Sequence, residues 1–325
     1  MGECLNDVRI ALIDGDASAF AAFAFPQRRA GLATLVEPWL AIGAWWRGAP
    51  VGLCLATIRN GSVWLDSVMV SPPLRRQGIA GALLAALADH ARSAGATRIA
   101  TQYSSFLGAR TAFEALLARS SWQSPTLIDI QLVGLAGAMA DGGGAWRPVQ
   151  RAMRELGDHS VEPFALGADD DAAIDALLAL APELGVPDPR ASPGLDLEVS
   201  VTLRDRGALI GWIAAERLTH SRGFGTLVPD APSILYSGAR LAEGHHKALM
   251  LVGYYRAFSR QAVIHGPASR AVYRTHPGAA AMYNFTRARF EPMALHVEER
   301  FGSSLQLGQD CALPIPSQEF VECCP

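Results

Sequence analysis

The chain has 325 residues, a formal charge of −3 and an apolar content of 50%, which gives enough length for two ordinary domains and excludes large-scale disorder. No basic block or basic stripe interleaved with aromatics offers a footprint for nucleic acid or for an anionic membrane. The opening MGECLNDVRIALIDGD lacks the basic-then-apolar order of a secretory signal and no apolar run reaches about eighteen residues, so the cytoplasm is the expected compartment. The five cysteines, Cys4, Cys54, Cys311, Cys323 and Cys324, have the spacings of neither a zinc site nor a disulfide framework, and reduced thiols with no metal are expected.

In chain order, VRIALIDGDASAFAAF reads as a strand and an acidic helix start, and WWRGAPVGLCLATI as a hairpin with Gly48 and Gly52. SVWLDSVMV is a further strand leading into the helix GIAGALLAALADHARSAGA; TRIATQYSS is a fifth strand, followed by the helix GARTAFEALLARSSW. GLAGAMADGGGAW, residues 134 to 146, has the composition of a linker. The same order then recurs: VEPFALGADDDAAIDALLAL, a hairpin with Gly207 and Gly211, SILYSGARL, the helix GHHKALMLVGYYRAFSRQA, AVIHGPASR and GAAAMYNFTRARF. A duplicated α+β fold is expected, each copy a mixed, mostly antiparallel sheet flanked by helices. The expected boundaries are 1–140 for the first domain, 141–160 for a linker, 161–302 for the second domain and 303–325 for a tail.

One stretch, VSPPLRRQGIAGALL from Val70 to Leu84, has the chemistry of an anion site. Unpaired N–H groups converge at a helix N-terminus, and Gly78, Ala80 and Gly81 leave the backbone open to approach. Pro72 and Pro73 end the preceding strand, and Arg75 and Arg76 add positive charge. The stretch is neither a Walker loop nor a dinucleotide fingerprint. It resembles the signature of the GNAT superfamily of N-acetyltransferases, carried here by Val70, Pro72, Arg75, Gly78 and Ala80. The resemblance implies that N–H groups of Arg76, Gln77, Gly78, Ile79, Ala80 and Gly81 cradle the pyrophosphate of acetyl-CoA or another acyl-CoA. It also implies that Met69 and Val70 pair with the pantetheine arm.

Acyl transfer from a thioester to an amine needs a base for the ammonium, a donor for the oxyanion and help for the leaving thiolate. The Val70 N–H is a candidate oxyanion donor. Asp66, four residues back on the same strand, is expected to share a face with Val68 and Val70 and is the first candidate base; the alternative is an ordinary exposed strand residue. Tyr103 and Ser104 are further candidates. The tyrosine acid that the resemblance implies falls on Phe113 or Leu117, neither of which can donate a proton, whereas HPGAAAMYNFTRARF in the second half places Tyr283 there and closes on Phe290.

The second half's loop, RLAEGHHKALM, keeps Gly244 but has Leu241 and His246 where the first has an arginine and a small residue, so weak or absent coenzyme A binding is expected there. His245 and His246 diverge as neighbours on a helix and show no third metal ligand. Glu216 and His220 are candidates for lining an acceptor cleft between the halves, or are simply polar side chains exposed to solvent. The resemblance implies direct N-acyl transfer, in the first instance N-acetyl transfer, to a small metabolite or amino sugar amine. A non-catalytic acyl-CoA-binding module and an acyl-CoA decarboxylase are the alternatives.

Overall fold

The computed structural model describes residues 7–59, 61–180, 186–192, 194–218, 232–245 and 247–307. They divide into two compact units, the first holding the described residues up to Ile128 and again from Glu299, the second those from Asp129 to Glu298. The elements are β1 (Val8–Ile13), β2 (Trp39–Trp46), β3 (Ala49–Arg59), β4 (Ser62–Val70), α1 (Ile79–Ser93), β5 (Arg98–Ser104), α2 (Arg110–Arg119) and β6 (Thr126–Leu135). Next come α3 (Ala136–Ala145), α4 (Arg147–Arg154), β7 (His159–Pro163), α5 (Asp171–Ala179), β8 (Val201–Asp205) and β9 (Ala208–Leu218). The chain continues with β10 (Ser233–Leu241), α6 (Ala248–Ile264), β11 (Arg270–Thr275), α7 (Ala280–Phe285) and β12 (Ala294–Gln306).

The duplicated α+β fold is present. In the first unit the strand order is β1, β2, β3, β4, β5, β12, antiparallel throughout except for the parallel β4–β5 pair. The second repeats it as β7, β8, β9, β10, β11, β6, with β10–β11 parallel. The hairpins repeat as well: Arg47 (φ 51) and Gly48 (φ 83) turn β2 into β3, and Arg206 (φ 50) and Gly207 (φ 86) turn β8 into β9. Two successive positive φ values make a turn whose twist matches the strands it joins.

The last strand of each sheet comes from an unexpected place. β6, which follows α2, closes the second sheet beside β11, while residues of β12 from Arg300 onward close the first beside β5. The expected tail boundary at 303 therefore falls inside a strand. Residues 308–325, with the CALPIPSQEFVECCP segment, lie outside the described residues.

The stretch read as a linker is also ordered, as α3 and α4. Its glycines admit close packing instead of supplying freedom: a Cβ on Gly144 would stand 3.0 Å from Tyr255, on α6, and one on Gly137 2.8 Å from Pro267. Trp146 stacks on the buried Phe290, ring centroids 5.7 Å apart, within the aromatic core of the second unit.

In the first unit α1 lays Leu83, Leu84, Leu87 and Ala91 against Cys54, Ala56, Val63 and Leu65, with Val68 and Val70 on the same side. The opposite face is covered by Phe20 and Leu32, from 3₁₀ segments at Ser18–Phe23 and Pro26–Thr34, packed on Leu53 and Leu55. These short turns stand where an acidic helix start was expected. The Asp16 carboxylate accepts the Ser18 N–H at 2.7 Å, a local bond that competes with a regular helix, and Pro26 opens the second segment. Among the described residues no helix is long and apolar enough to cross a membrane.

Candidate active site

The site begins at a break in a ladder. Ala56 faces Leu65 and Leu55 faces Ser67, leaving Asp66 as the extra residue of a β-bulge in β4. At the same point β4 leaves β5: their parallel register runs from Ser62–Arg98 to Leu65–Thr101 and has no later pair among the described residues. Past the bulge, the Ser71 N–H donates to the Val51 carbonyl at 2.8 Å. In an antiparallel ladder this makes Gly52–Val70 a pair whose own backbone groups point away from one another. By the same alternation Val68 and Val70 turn their N–H and C=O groups into the opening toward β5, and Met69 spends its own on β3. The expectation that Met69 lines the opening is corrected accordingly; Val68 takes its place.

The bulge also corrects the expected placing of Asp66. Ser67 sits opposite Leu55 on the 3₁₀-covered face, while Val68 and Val70 lie with Cys54 on the α1 face. Asp66 accepts from Arg28 of the second 3₁₀ segment, Nη2 to Oδ1 at 2.8 Å and Nε to Oδ2 at 3.3 Å. The Arg28 guanidinium lies over the Trp39 ring, 4.7 Å from its centroid. The inserted residue switches the side-chain alternation, so Asp66 does not share a face with Val68 and Val70.

The loop between β4 and α1 is built in steps. Pro72–Leu74 makes one 3₁₀ turn, closed by Leu74 N–H to Ser71 O and Arg75 N–H to Pro72 O. Arg76 (φ 62) and Gly78 (φ 84) then reverse the backbone, and Gly78 caps α1. The first helical bond runs from Ala82 N–H to Gly78 O at 3.0 Å, so the N–H groups of Arg76 through Gly81 have no protein acceptor among the described residues. A Cβ on Gly78 or Gly81 would meet nothing within 4 Å, so the space beside the backbone at these two positions is open. Ile79 is buried and anchors the turn, and the first turn of α1 carries no acidic residue. The donors, the helix dipole and the exposed Arg76 suit a phosphate group. Arg75 has a structural share, donating from Nε to Val70 O at 3.1 Å, and the Gln77 amide reaches Pro73 O at 3.4 Å.

Tyr103, at the far side of the opening on β5, donates its hydroxyl to Glu114 Oε1 at 2.9 Å, and Arg110 Nε donates to the same oxygen at 2.8 Å. Its ring packs edge-on against Phe113 at 5.2 Å and stacks on Phe301 at 5.9 Å. Burial raises the phenol above its ordinary range, and the bond to Glu114 adds to this. The hydrogen bond from Arg110 is the main cause that holds the Glu114 carboxyl below the usual carboxylate range. Ser104 accepts the Phe106 N–H at 3.0 Å. Arg28, Arg110 and Glu114 were not found from the sequence. The Arg110–Glu114 pair has the helical i, i+4 spacing that marks it, whereas nothing local joins Arg28 to Asp66.

The second unit repeats the bulge, with Ser237 as its extra residue. Ser237 and Ser192 both donate to Glu216 Oε1 at 2.9 Å, so Glu216 has partners within its own unit; His220 lies outside the described residues. Here the loop has no proline turn, and Gly244 (φ 83) precedes the Lys247 cap instead of capping the helix itself. His246 lies outside the described residues. Tyr283 belongs to this unit and accepts from Arg287 Nε and Nη2, both at 3.3 Å.

Residues 14–116 match the Acetyltransferase (GNAT) family. No curated protein matches the chain by sequence. Among solved structures, a tandem GNAT protein from the clavulanic acid biosynthesis pathway superimposes with a TM-score of 0.52 at 14% identity, over 94% of this chain and 100% of that one. A GCN5-related N-acetyltransferase from Sphaerobacter thermophilus gives 0.52 at 13% identity, over 95% and 98%. A GCN5-related glucosamine N-acetyltransferase region of a fungal multi-domain GH3 β-N-acetylglucosaminidase gives 0.56 at 12% identity, over 91% of this chain and 38% of that one. These likenesses extend to the fold of both units.

Proposed function

We propose, from the match of residues 14–116 to the Acetyltransferase (GNAT) family, that this chain transfers an acyl group, in the first instance acetyl, directly from coenzyme A to an amine of a small metabolite or amino sugar. The supporting observation is the row of N–H groups from Arg76 to Gly81 that have no acceptor among the described residues, with open space at the Cβ positions of Gly78 and Gly81, beside the parting of β4 and β5. That cradle fits a pyrophosphate, and the outward N–H and C=O of Val68 and the outward N–H of Val70 fit an extended amide-bearing arm, the Val70 carbonyl being taken by Arg75. The cosubstrate supplies the acyl thioester.

This chain's own residues supply the rest. Val70 N–H is the donor for the developing oxyanion. Asp66, at the bulge where the strands part, is the base we assign to the amine, with Arg28 fixing its orientation. Tyr103 holds a proton in a buried site on β5 and is the acid we assign in place of the tyrosine missing at Phe113 and Leu117. Tyr283 is left to a packing role in the second unit. The tandem GNAT protein and the glucosamine N-acetyltransferase region among the fold relatives support a small-molecule acceptor.

The test is a binding and turnover screen of the full chain with acetyl-CoA and longer acyl-CoAs against a panel of amines and amino sugars. Acyl-CoA binding with thiol release that depends on an amine supports the proposal. Binding without turnover across the panel identifies a non-catalytic module, and CO₂ release from malonyl-CoA without an acceptor identifies a decarboxylase; either result overturns it.

A further inference from the structure

We propose that the second unit holds one divalent transition-metal ion of the zinc class on His159, Asp205 and His245. This inference stands apart from the transfer reaction and does not rest on it. His159 opens β7 and Asp205 ends β8, directly opposite one another in the ladder. His245 lies on the loop between β10 and α6. The three ligand atoms lie within 4.8 Å of one another, and all three residues are half-buried.

The two imidazoles are arranged for a shared cation. His159 Nε2 and His245 Nδ1 are 3.4 Å apart, the separation that two nitrogen ligands make on a tetrahedral ion with bonds of about 2.1 Å. The rings meet edge to face, interplanar angle 88°, and do not stack. His159 Nδ1 is 2.9 Å from the Leu156 carbonyl, which can only accept; that nitrogen therefore carries the hydrogen and Nε2 presents a lone pair. A backbone carbonyl holding the far nitrogen of a ligand histidine is the usual device for orienting it.

The carboxylate completes the set. Asp205 accepts no hydrogen bond from the described residues, and its two arginine neighbours are engaged elsewhere: Arg204 with Asp170 at 2.7 Å and Arg206 with Asp158 at 2.9 Å. Without an ion, no described residue partners the carboxylate. A bound cation satisfies all three and leaves a fourth position for water. The sequence offered only the adjacent His245 and His246 and no third ligand; the antiparallel pairing of β7 with β8 supplies two. His245 lies on the segment between bulged strand and helix, which in the first unit is the phosphate-type loop. There the first unit presents N–H donors and the second presents lone pairs.

The experiment uses the full chain, stripped of metal and of any histidine tag, titrated with Zn²⁺ by calorimetry and with Co²⁺ by visible absorption. The expected result is one Zn²⁺ per chain, a Co²⁺ spectrum of low coordination number, and a melting temperature that rises with Zn²⁺. His159→Ala and His245→Ala each weaken Zn²⁺ binding by about 10- to 100-fold or more and remove the thermal shift, while Gly81→Glu leaves both unchanged. Should His159→Ala fail to fold, His245→Gln on the loop carries the test. Substoichiometric Zn²⁺ binding by the wild type, or full-strength binding by the folded His245→Gln chain, overturns the proposal and identifies adventitious binding at other histidines.

Discussion

Arg28 and Asp66 form the pair whose separate roles matter most. If Asp66 is the base, Asp66→Asn lowers kcat by about 100-fold or more, while Arg28→Ala costs clearly less because the carboxylate remains. Equal losses in steady-state assays of the two variants would reduce Asp66 to an anchor for the 3₁₀ segment. For Tyr103 the expected signature is a fall in kcat of about 100-fold in Tyr103→Phe with the KM for acyl-CoA unchanged. Burial and Glu114 raise the Tyr103 phenol, so its protonated form persists above its ordinary range. The wild-type pH–rate profile should accordingly show no alkaline limb from this group up to about pH 10. Tyr103 was legible in the sequence as a polar residue ending a strand. Arg28 was not, because its partner lies 38 positions away and the pairing exists only through the fold.

The β4–α1 loop makes a prediction that separates binding from folding. Gly81 lies in the first turn of α1 and a Cβ there meets nothing within 4 Å, so Gly81→Glu fits the helix. A carboxylate at that place also complements the dipole, by about 0.3–1 kcal/mol. The expected outcome is an unchanged or slightly higher melting temperature together with acyl-CoA affinity at least about 100-fold weaker, an energy of about 2.7 kcal/mol. Gly78→Glu would not separate the two effects, since its φ of 84 strains any side chain. At the end of α6, Asp196 accepts from His265 Nε2 and Arg217 Nε, both at 2.7 Å, with its side chain only 1% exposed. Burial pushes that carboxyl up, but the two bonds outweigh it and its folded pKa is lowered. The stability it contributes is present above the unfolded value of about 3.9 and lost as pH falls through the folded one. Asp196→Ala should cost about 3 kcal/mol in denaturant titrations at neutral pH and flatten the acid limb of the melting curve. At this scale the loop, hairpins and strand order were legible because Gly, Pro and apolar alternation encode them locally. The bulges were not, since a one-residue insertion leaves a strand pattern that reads the same. The glycines of α3 misled for a related reason: composition does not distinguish freedom from close packing.

At the scale of the molecule, the repeat was readable and the exchange of closing strands was not. Each half ends in a strand, and nothing in either strand's composition says which sheet it joins; the register of β12 with β5 decides it. Cutting the chain after residue 140, where the sequence suggested a boundary, removes the partner of β5 and leaves its edge bare. The fragment 1–140 should run as an aggregate in size-exclusion chromatography, and a compact monomer would show that the first sheet closes without β12. The exchange also sets an order of events during synthesis. The Glu299 N–H that bonds Ser105 Oγ is made 194 residues later, so the emerging first sheet waits on the ribosome with one side unfinished until nearly the whole chain has been translated. Chaperone dependence during expression, and not activity, is where this strand will first make itself felt.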